Sequence, residues 1–248
     1  MAFINYIEEY RIYIIATFFA LIFIWENILP QRRFAKLFKH NLFNFGIGAV
    51  NLLLTFFGGL YFAKYLDWFQ LNGIGLLYNI SPAFAFVLSL IIADILMYWW
   101  HRFNHTVPFL WRFHSFHHLD SAMNATTAVR FHAMELFFSF IFRMMFYPVF
   151  GISNSVVLVF STIHFSMIVF HHSNIYLPER IDKVVRLFIA SPGMHRIHHS
   201  NKWEETNSNY TSILSCWDWV FGSYVKEPKE DIIFGVPASR ISLRKKFL

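Results

Sequence analysis

Ten of the thirteen histidines in this 248-residue chain lie in four short clusters. Neutral imidazole is the commonest protein ligand for transition metals, and residues i, i+3 and i+4 of a helix share one face. Each cluster can therefore direct one to three ring nitrogens to a common point. One tetrahedral zinc ion takes about four ligands, so this number of imidazoles predicts two metal ions side by side. The clusters are His101-Arg-Phe-Asn-His105, His114-Ser-Phe-His117-His118, Phe170-His171-His172-Ser-Asn174 and His195-Arg-Ile-His198-His199.

Repetition of the spacing makes the metal hypothesis specific. A box of three histidines occurs twice, and a pair separated by four residues occurs once. His171 and His172 are adjacent, so their side chains point about 100° apart on a helix and only one is expected to reach the metals. His132 stands apart from the clusters, and a structural hydrogen bond explains it as well as ligation does.

A carboxylate precedes the first histidine pair on the same helical stripe. Asp94, Tyr98, His101 and His105 are separated by four, three and four residues. An aspartate within an apolar segment is costly and usually functional. It lies about 10 Å along the helix from His101, which is too far for contact. We expect Asp94 to accept a hydrogen bond from a ligating histidine on a neighbouring helix; the alternative is an ion pair with a buried Lys or Arg.

Composition places these residues in a membrane protein. The chain is 56% hydrophobic, 21% aromatic and only 15% charged, whereas soluble domains carry about 25% charged residues. The sequence predicts an all-α integral membrane bundle, a single domain spanning residues 1–248 with four to five membrane helices arranged in hairpins. The predicted membrane helices are approximately 12–29, 42–66, 83–100, 136–150 and 155–170.

The distribution of basic residues predicts the orientation. The segment 67–82 has no Lys or Arg, whereas the tail beyond Ser173 has eleven. By the positive-inside rule, the N-terminus is outside and the C-terminus cytoplasmic. The histidine clusters then belong to a cytoplasmic helical cap, approximately 101–133 and 173–248. The helices at 136–150 and 155–170 are short for full spans and are expected to form a hairpin that dips into the bilayer without properly crossing it.

Several classes of protein are disfavoured. Cys216 is the only cysteine, so no thiolate cluster can hold metal or an iron–sulfur centre. The net charge of +6 fits attraction to anionic lipids, and no motif indicates nucleic-acid binding. No Gly-rich nucleotide loop or haem signature is present. If the chemistry is redox, electrons must therefore come from a separate protein.

The order and flanks of the clusters resemble the fatty acid hydroxylase/sterol desaturase superfamily of integral-membrane di-iron oxygenases. The resemblance runs from about Asp94 to Tyr224, over half the chain. Two departures are Ala133, where the family commonly has Pro, and the pair His171-His172, where it usually has one histidine. The matching residues outside the boxes are Asp94, Tyr98, Asn124, Arg130-x-His132-x-x-Glu135, His172-Ser-Asn174, Ser191-Pro192, Asn209-Tyr210, Trp217-Asp218 and Phe221-Gly222-Ser-Tyr224.

This resemblance implies two iron ions, with zinc possible in purified protein, and molecular oxygen as co-substrate. It implies a lipid substrate of sterol, fatty acyl or alkylglycerol type and an external cytochrome b5-, ferredoxin- or reductase-like electron donor. The length resembles that of compact bacterial members. Asp94, Asn124 and Asn174 are candidates for positioning the ligands, and His132 and His171 are additional candidate ligands. The implied ligands are His101, His105, His114, His117, His118, His172, His195, His198 and His199.

Two other functions fit parts of the pattern. A transition-metal transporter would spread histidines through the membrane depth, whereas only His164 lies mid-span here. A membrane hydrolase with one zinc ion needs about three protein ligands, far fewer than this chain offers. A lipid hydroxylase or desaturase is therefore favoured. Both of those reactions begin with attack on an unactivated C–H bond, so the sequence does not separate them.

Overall fold

The computed structural model describes residues 2–236, and the regular secondary structure of this part of the chain is helical, with three isolated β-bridges in the connecting segments. A short 3-10 helix, Ala125–Val129, lies between α4 and α5. The α-helices are α1 Ala2–Ile28, α2 Leu37–Leu71, α3 Pro82–Thr106, α4 Pro108–His118, α5 Ala133–Phe150, α6 Asn154–His172, α7 Glu179–Val185, α8 Pro192–His198, α9 Trp203–Thr206 and α10 Cys216–Val220.

Five helices, α1, α2, α3, α5 and α6, are long and apolar enough to cross a membrane. Large apolar side chains cover their outer surfaces; Leu52, Leu53 and Phe57 of α2 are each more than half exposed. Such a continuous apolar surface is unfavourable in water and suits the hydrocarbon of a bilayer. The prediction of an all-α, multi-pass membrane protein is confirmed.

The two short predicted helices are longer in the structure. His132 caps α5 by accepting a hydrogen bond from the Met134 N–H, and Ser153 caps α6 in the same way through Val156. The resulting helices of 18 and 19 residues extend about 27 Å, close to the thickness of a bilayer core of about 30 Å. Both are therefore long enough to cross.

The bundle is closed by contacts among α2, α3, α5 and α6. Phe62 of α2, Ala93 of α3, Tyr147 of α5 and Phe160 of α6 pack into one buried cluster. At the turn between α5 and α6, Gly151 has a φ of 74° and lies against the backbone of Gly75. A Cβ on Gly75 would approach the Gly151 Cα to 2.3 Å, so this close contact requires glycine.

The histidine-bearing elements meet at one end of the bundle. An isolated bridge joins Pro30, just after α1, to Ile175, just after α6. The end of α3 leads through Val107 directly into α4. The C-terminal ends of α1, α3 and α6 are therefore on the same side, where α4 and α7–α10 form the cap.

Candidate metal centre

Nine histidines converge in two groups that could each hold a metal ion. Within a group, one potential ligand nitrogen from each residue lies within 4.8 Å of all the others. The five-histidine group consists of His101, His105, His114, His118 and His198. The four-histidine group consists of His117, His172, His195 and His199.

Helical spacing explains how each box serves both groups. Residues four apart stay together: His114 and His118 are in the five-histidine group, and His195 and His199 in the four-histidine group. Their neighbours His117 and His198 point about 100° away and belong to the other group. The two groups adjoin, because the rings of His118 and His199 stack with centroids 4.3 Å apart.

Ring contacts in the four-histidine group fit a cation. His172 Nδ1 lies 2.8 Å from the Ile168 carbonyl oxygen, and His117 Nδ1 lies 3.2 Å from that of Arg130. A carbonyl only accepts, so each Nδ1 donates and each neutral ring has its lone pair on Nε2. The two Nε2 atoms nevertheless lie 2.9 Å apart. A metal with nitrogen ligands at about 2.0–2.1 Å brings adjacent ligand atoms to roughly this separation.

Three rings of the five-histidine group are oriented by hydrogen bonds to the nitrogen that faces away from the group. His101 Nδ1 donates to the Tyr210 carbonyl at 2.6 Å, and His198 Nδ1 donates to that of Ser208 at 2.6 Å. His114 Nδ1 lies 2.8 Å from Glu135 Oε1. The buried Nε2 atoms of His114 and His198 have no hydrogen-bond partner among the described residues. The rings are thus positioned with an unsatisfied nitrogen facing inward, as metal ligands are.

Burial also favours the neutral form of two cap histidines, His118 and His198. Desolvation, followed by the neighbouring His199, holds the pKa of His118 well below its usual value. Burial lowers the pKa of His198 to about 3. A neutral imidazole has the lone pair that a metal requires. The neutral form of His118 and His198 therefore fits metal binding.

Glu135 is a site residue to which sequence reasoning assigned no role. It belongs to the segment that resembles the family, and it lies in the first turn of α5, where it is 5% exposed. Its carboxylate orients His114 on α4. An acidic residue in an apolar helix was the available signal, but its partner is not visible in the spacing.

The expected hydrogen bond between Asp94 and a histidine is wrong. Asp94 Oδ2 accepts from Trp217 Nε1 at 2.7 Å and from the Leu214 N–H at 3.2 Å. No Lys or Arg of the described residues forms an ion pair with it. The cap segment that contains Leu214 and Trp217 runs beside α3 at this depth and supplies the N–H donors. Asp94 therefore fastens the cap to the bundle.

Asn124 and Asn174 also support the framework. Asn124 caps the 3-10 helix through the Thr126 N–H and donates to Asn41 on α2. Asn174 accepts from the Arg32 N–H and donates to the Arg32 carbonyl. Neither side chain hydrogen bonds with a histidine among the described residues. Their proximity to the boxes in the sequence suggested a role beside the ligands, whereas their hydrogen-bond partners lie on α2 and in the segment after α1.

His132 and His171 lie outside both groups. His132 Nδ1 accepts from the Met134 N–H at the start of α5. His171 is buried on α6, and its ring centroid lies 4.0 Å from that of His195. His172, in contrast, is a member of the four-histidine group. The structure thus brings one residue of this adjacent pair into the cluster, as the 100° rotation between neighbours requires.

Comparison with known proteins agrees with this site. The sequence profile of the fatty acid hydroxylase family matches residues 86–223, and the chain belongs to that family. An alkylglycerol monooxygenase from Xenopus tropicalis is 31% identical over 60% of this chain and 32% of its own length. An ornithine lipid hydroxylase from Rhizobium tropici is 29% identical over 59% of this chain and 44% of its own.

A cholesterol 25-hydroxylase from Rattus norvegicus is more distant, 25% identical over 55% of this chain and 45% of its own length. The chain thus matches 32–45% of the length of these relatives. No solved structure matches it. The shared region contains all four histidine clusters.

Proposed function

We propose that this protein is a membrane-bound, O2-dependent oxidoreductase that attacks a C–H bond of a lipid. The observation that carries the proposal is the pair of adjoining all-histidine groups at one end of a membrane bundle. The names of the relatives describe a monooxygenase and hydroxylases that act on lipids. These names favour hydroxylation over desaturation.

We propose two iron ions as the resident metals. A set of nitrogen ligands suits iron, zinc or copper and disfavours magnesium and calcium. Iron, reduced by an external donor, would supply the activation of dioxygen that C–H hydroxylation requires. Zinc would occupy the same ligands in protein expressed without sufficient iron, because it binds such sites more tightly than Fe²⁺.

The protein's own residues hold and isolate this centre. The five-histidine group would hold one ion and the four-histidine group the other. Glu135 and the backbone carbonyls of Tyr210, Ser208 and Arg130 fix the ring orientations. Burial of the histidines excludes water, which protects reactive species from side reactions. The adjacent bilayer would deliver a lipid of sterol, fatty acyl or alkylglycerol type.

The centre is proposed to face the cytoplasm, with the N-terminus outside. Five spans bring the C-terminal ends of α1, α3 and α6 to the same side, and the basic residues after α1 are on that side. Electrons would arrive there from a cytochrome b5-, ferredoxin- or reductase-like protein. The clustering of histidines at this end, instead of along a path through the bundle, disfavours the transporter alternative.

Lipid analysis of a deletion strain would test the activity. We expect at least one lipid species to lose one oxygen relative to wild type, and a plasmid copy to restore it. Plasmid copies with His118→Ala or His199→Ala, one from each group, should fail to restore it although they insert normally. An unchanged lipid profile, in cells that express the wild-type protein and contain its donor, would refute lipid oxidation.

Cysteine labelling would test the orientation separately. In a Cys216→Ser background, Glu204→Cys places a thiol on the exposed surface of α9, and Asn79→Cys places one in the exposed loop between α2 and α3. In intact cells, an impermeant reagent should label position 79 and leave position 204 unlabelled. The reverse result would invert the proposed topology and leave the activity unaffected.

A further inference from the structure

A basic pocket lies on the face of α8 opposite the metal centre. Its volume is about 250 Å³, and it is bordered by the segment after α1, by α7 and α8, and by residues 226–232. Gly193, Arg196 and Ile197 of α8 line it, whereas His195 and His198 of the same helix belong to the histidine groups. One helix thus separates this pocket from the candidate metal centre.

The pocket contains more positive charge than its own acidic groups neutralise. Arg32, Arg186 and Arg196 line the pocket, and one buried carboxylate, Asp182, lies behind it close enough to act on Arg196. Arg186 forms the ion pair with Asp182. Arg32 and Arg196 have no carboxylate within 4.0 Å in the described part of the chain. Arg196 is only 8% exposed, and a buried charge without a counter-ion is costly.

The remaining charges at the pocket rim do not provide the missing anions. Lys183 pairs with Glu179, and Lys226 lies 3.8 Å from Glu227. The positive charges of Arg32 and Arg196 therefore remain without a paired carboxylate among the described residues. Residues 237–248, outside the described part, contain no Asp or Glu.

Neutral oxygens hold the two unpaired guanidiniums in place. Arg196 Nη2 donates to the Ile175 carbonyl at 2.7 Å, and Arg32 Nη1 donates to the Ile232 carbonyl at 2.6 Å. Arg32 also lies over the ring of Phe234, 4.8 Å from its centroid. These contacts orient the two side chains but do not neutralise their positive charge. A fixed pair of guanidiniums is suited to bidentate binding of phosphate.

We propose that this pocket binds a phosphate group, and its position favours the phosphate of an anionic phospholipid. Arg32 is only four residues beyond Ile28, where the first candidate span ends. A residue at this distance from a span lies at the level of the lipid headgroups. The bound headgroup would neutralise the positive charge of the pocket and stabilise the outer face of α8. This proposal is independent of the reaction that the metal centre catalyses.

Arg32→Gln tests the site, and Arg33→Gln is its matched control. Both changes remove one positive charge from the same segment, but Arg33 is exposed and does not line the pocket. The full-length proteins would be delipidated in neutral detergent. Binding of inorganic phosphate would be followed through the thermal midpoint, with chloride at equal ionic strength as reference. Binding of phosphatidylglycerol would be followed by native mass spectrometry, with phosphatidylcholine as reference.

We expect phosphatidylglycerol to bind selectively to the wild type and to Arg33→Gln. Loss of one charged hydrogen-bond donor should weaken its binding about tenfold in Arg32→Gln. Stabilisation by inorganic phosphate without selective lipid binding would support the phosphate site and assign its ligand to a soluble source. No response of the wild type to either probe would overturn the proposal. Equal weakening in both variants would also overturn it, because that pattern indicates diffuse attraction.

Discussion

The five-histidine group and the four-histidine group adjoin but differ in how their rings are supported. In the former, one ring is held by the Glu135 carboxylate and two by backbone carbonyls. In the latter, His117 and His172 are held by carbonyls, and no carboxylate of the described residues forms a hydrogen bond with a ring nitrogen. A carboxylate on the far nitrogen raises the basicity of a metal-binding imidazole. Histidines of the same type can therefore bind two metals with different affinity.

The four-histidine group also has an unused neighbour. His171 lies beside His195 but contributes no nitrogen to the cluster. The five-histidine group already contains one more imidazole than the four-histidine group. We infer that the four-histidine group would hold a metal less tightly and has room for a further ligand.

The largest effect is expected from removing a ligand of the weaker group. His172→Ala should lower the metal content from about two equivalents to about one and abolish turnover, because it removes the ring whose Nε2 lies 2.9 Å from His117 Nε2 and 3.0 Å from His195 Nε2. His171→Ala is the matched control, one residue away and equally buried, and should retain both metals. Elemental analysis of purified protein would measure this. If His171→Ala loses more metal than His172→Ala, the assignment of the pair is reversed.

An intermediate effect is expected at Glu135. Glu135→Gln keeps the size of the side chain and removes its charge, so the five-histidine group should lose about 10–100-fold in metal affinity. In the wild type, a chelator should remove the metal of the four-histidine group first. In Glu135→Gln, the chelator should remove the two metals at more similar rates or in the reverse order. Glu204→Gln, on the exposed surface of α9, controls for the loss of one negative charge. Identical curves of metal removal in all three proteins would contradict the claim that the two groups differ because of Glu135.

The smallest effect is expected at Asp94, which contacts neither group. Asp94→Asn weakens the hydrogen bonds from Trp217 and Leu214, so it should cost about 1 kcal/mol of stability and leave two metals bound. Thermal unfolding and elemental analysis would be compared with those of Asp231→Asn, an exposed control. If the Asp94 variant loses metal at an unchanged thermal midpoint, Asp94 supports metal binding and not only the stability of the fold.

Spacing identified eight of the nine histidines that converge in the structure, because residues three or four apart share one helix face and this feature is local. Adjacency predicted only that one of His171 and His172 reaches the site, and the choice of His172 came from the family resemblance. Apolar stretches likewise predicted the five long helices, since the composition of a span must match its solvent. The predicted ends of these helices were less accurate. The helix α5 begins at Ala133 because His132 caps it, and hydrophobicity alone does not indicate a cap.

Contacts between distant segments were decided by the tertiary structure. Asp94 meets Trp217 across 123 positions in the chain, and His114 meets Glu135 across 21. The division of each histidine box between two groups likewise depends on how α3, α4, α6 and α8 pack. Spacing along a helix determines which side chains share a face. Which donor or acceptor that face meets depends on the neighbouring helix, and no local pattern in this chain specifies that neighbour.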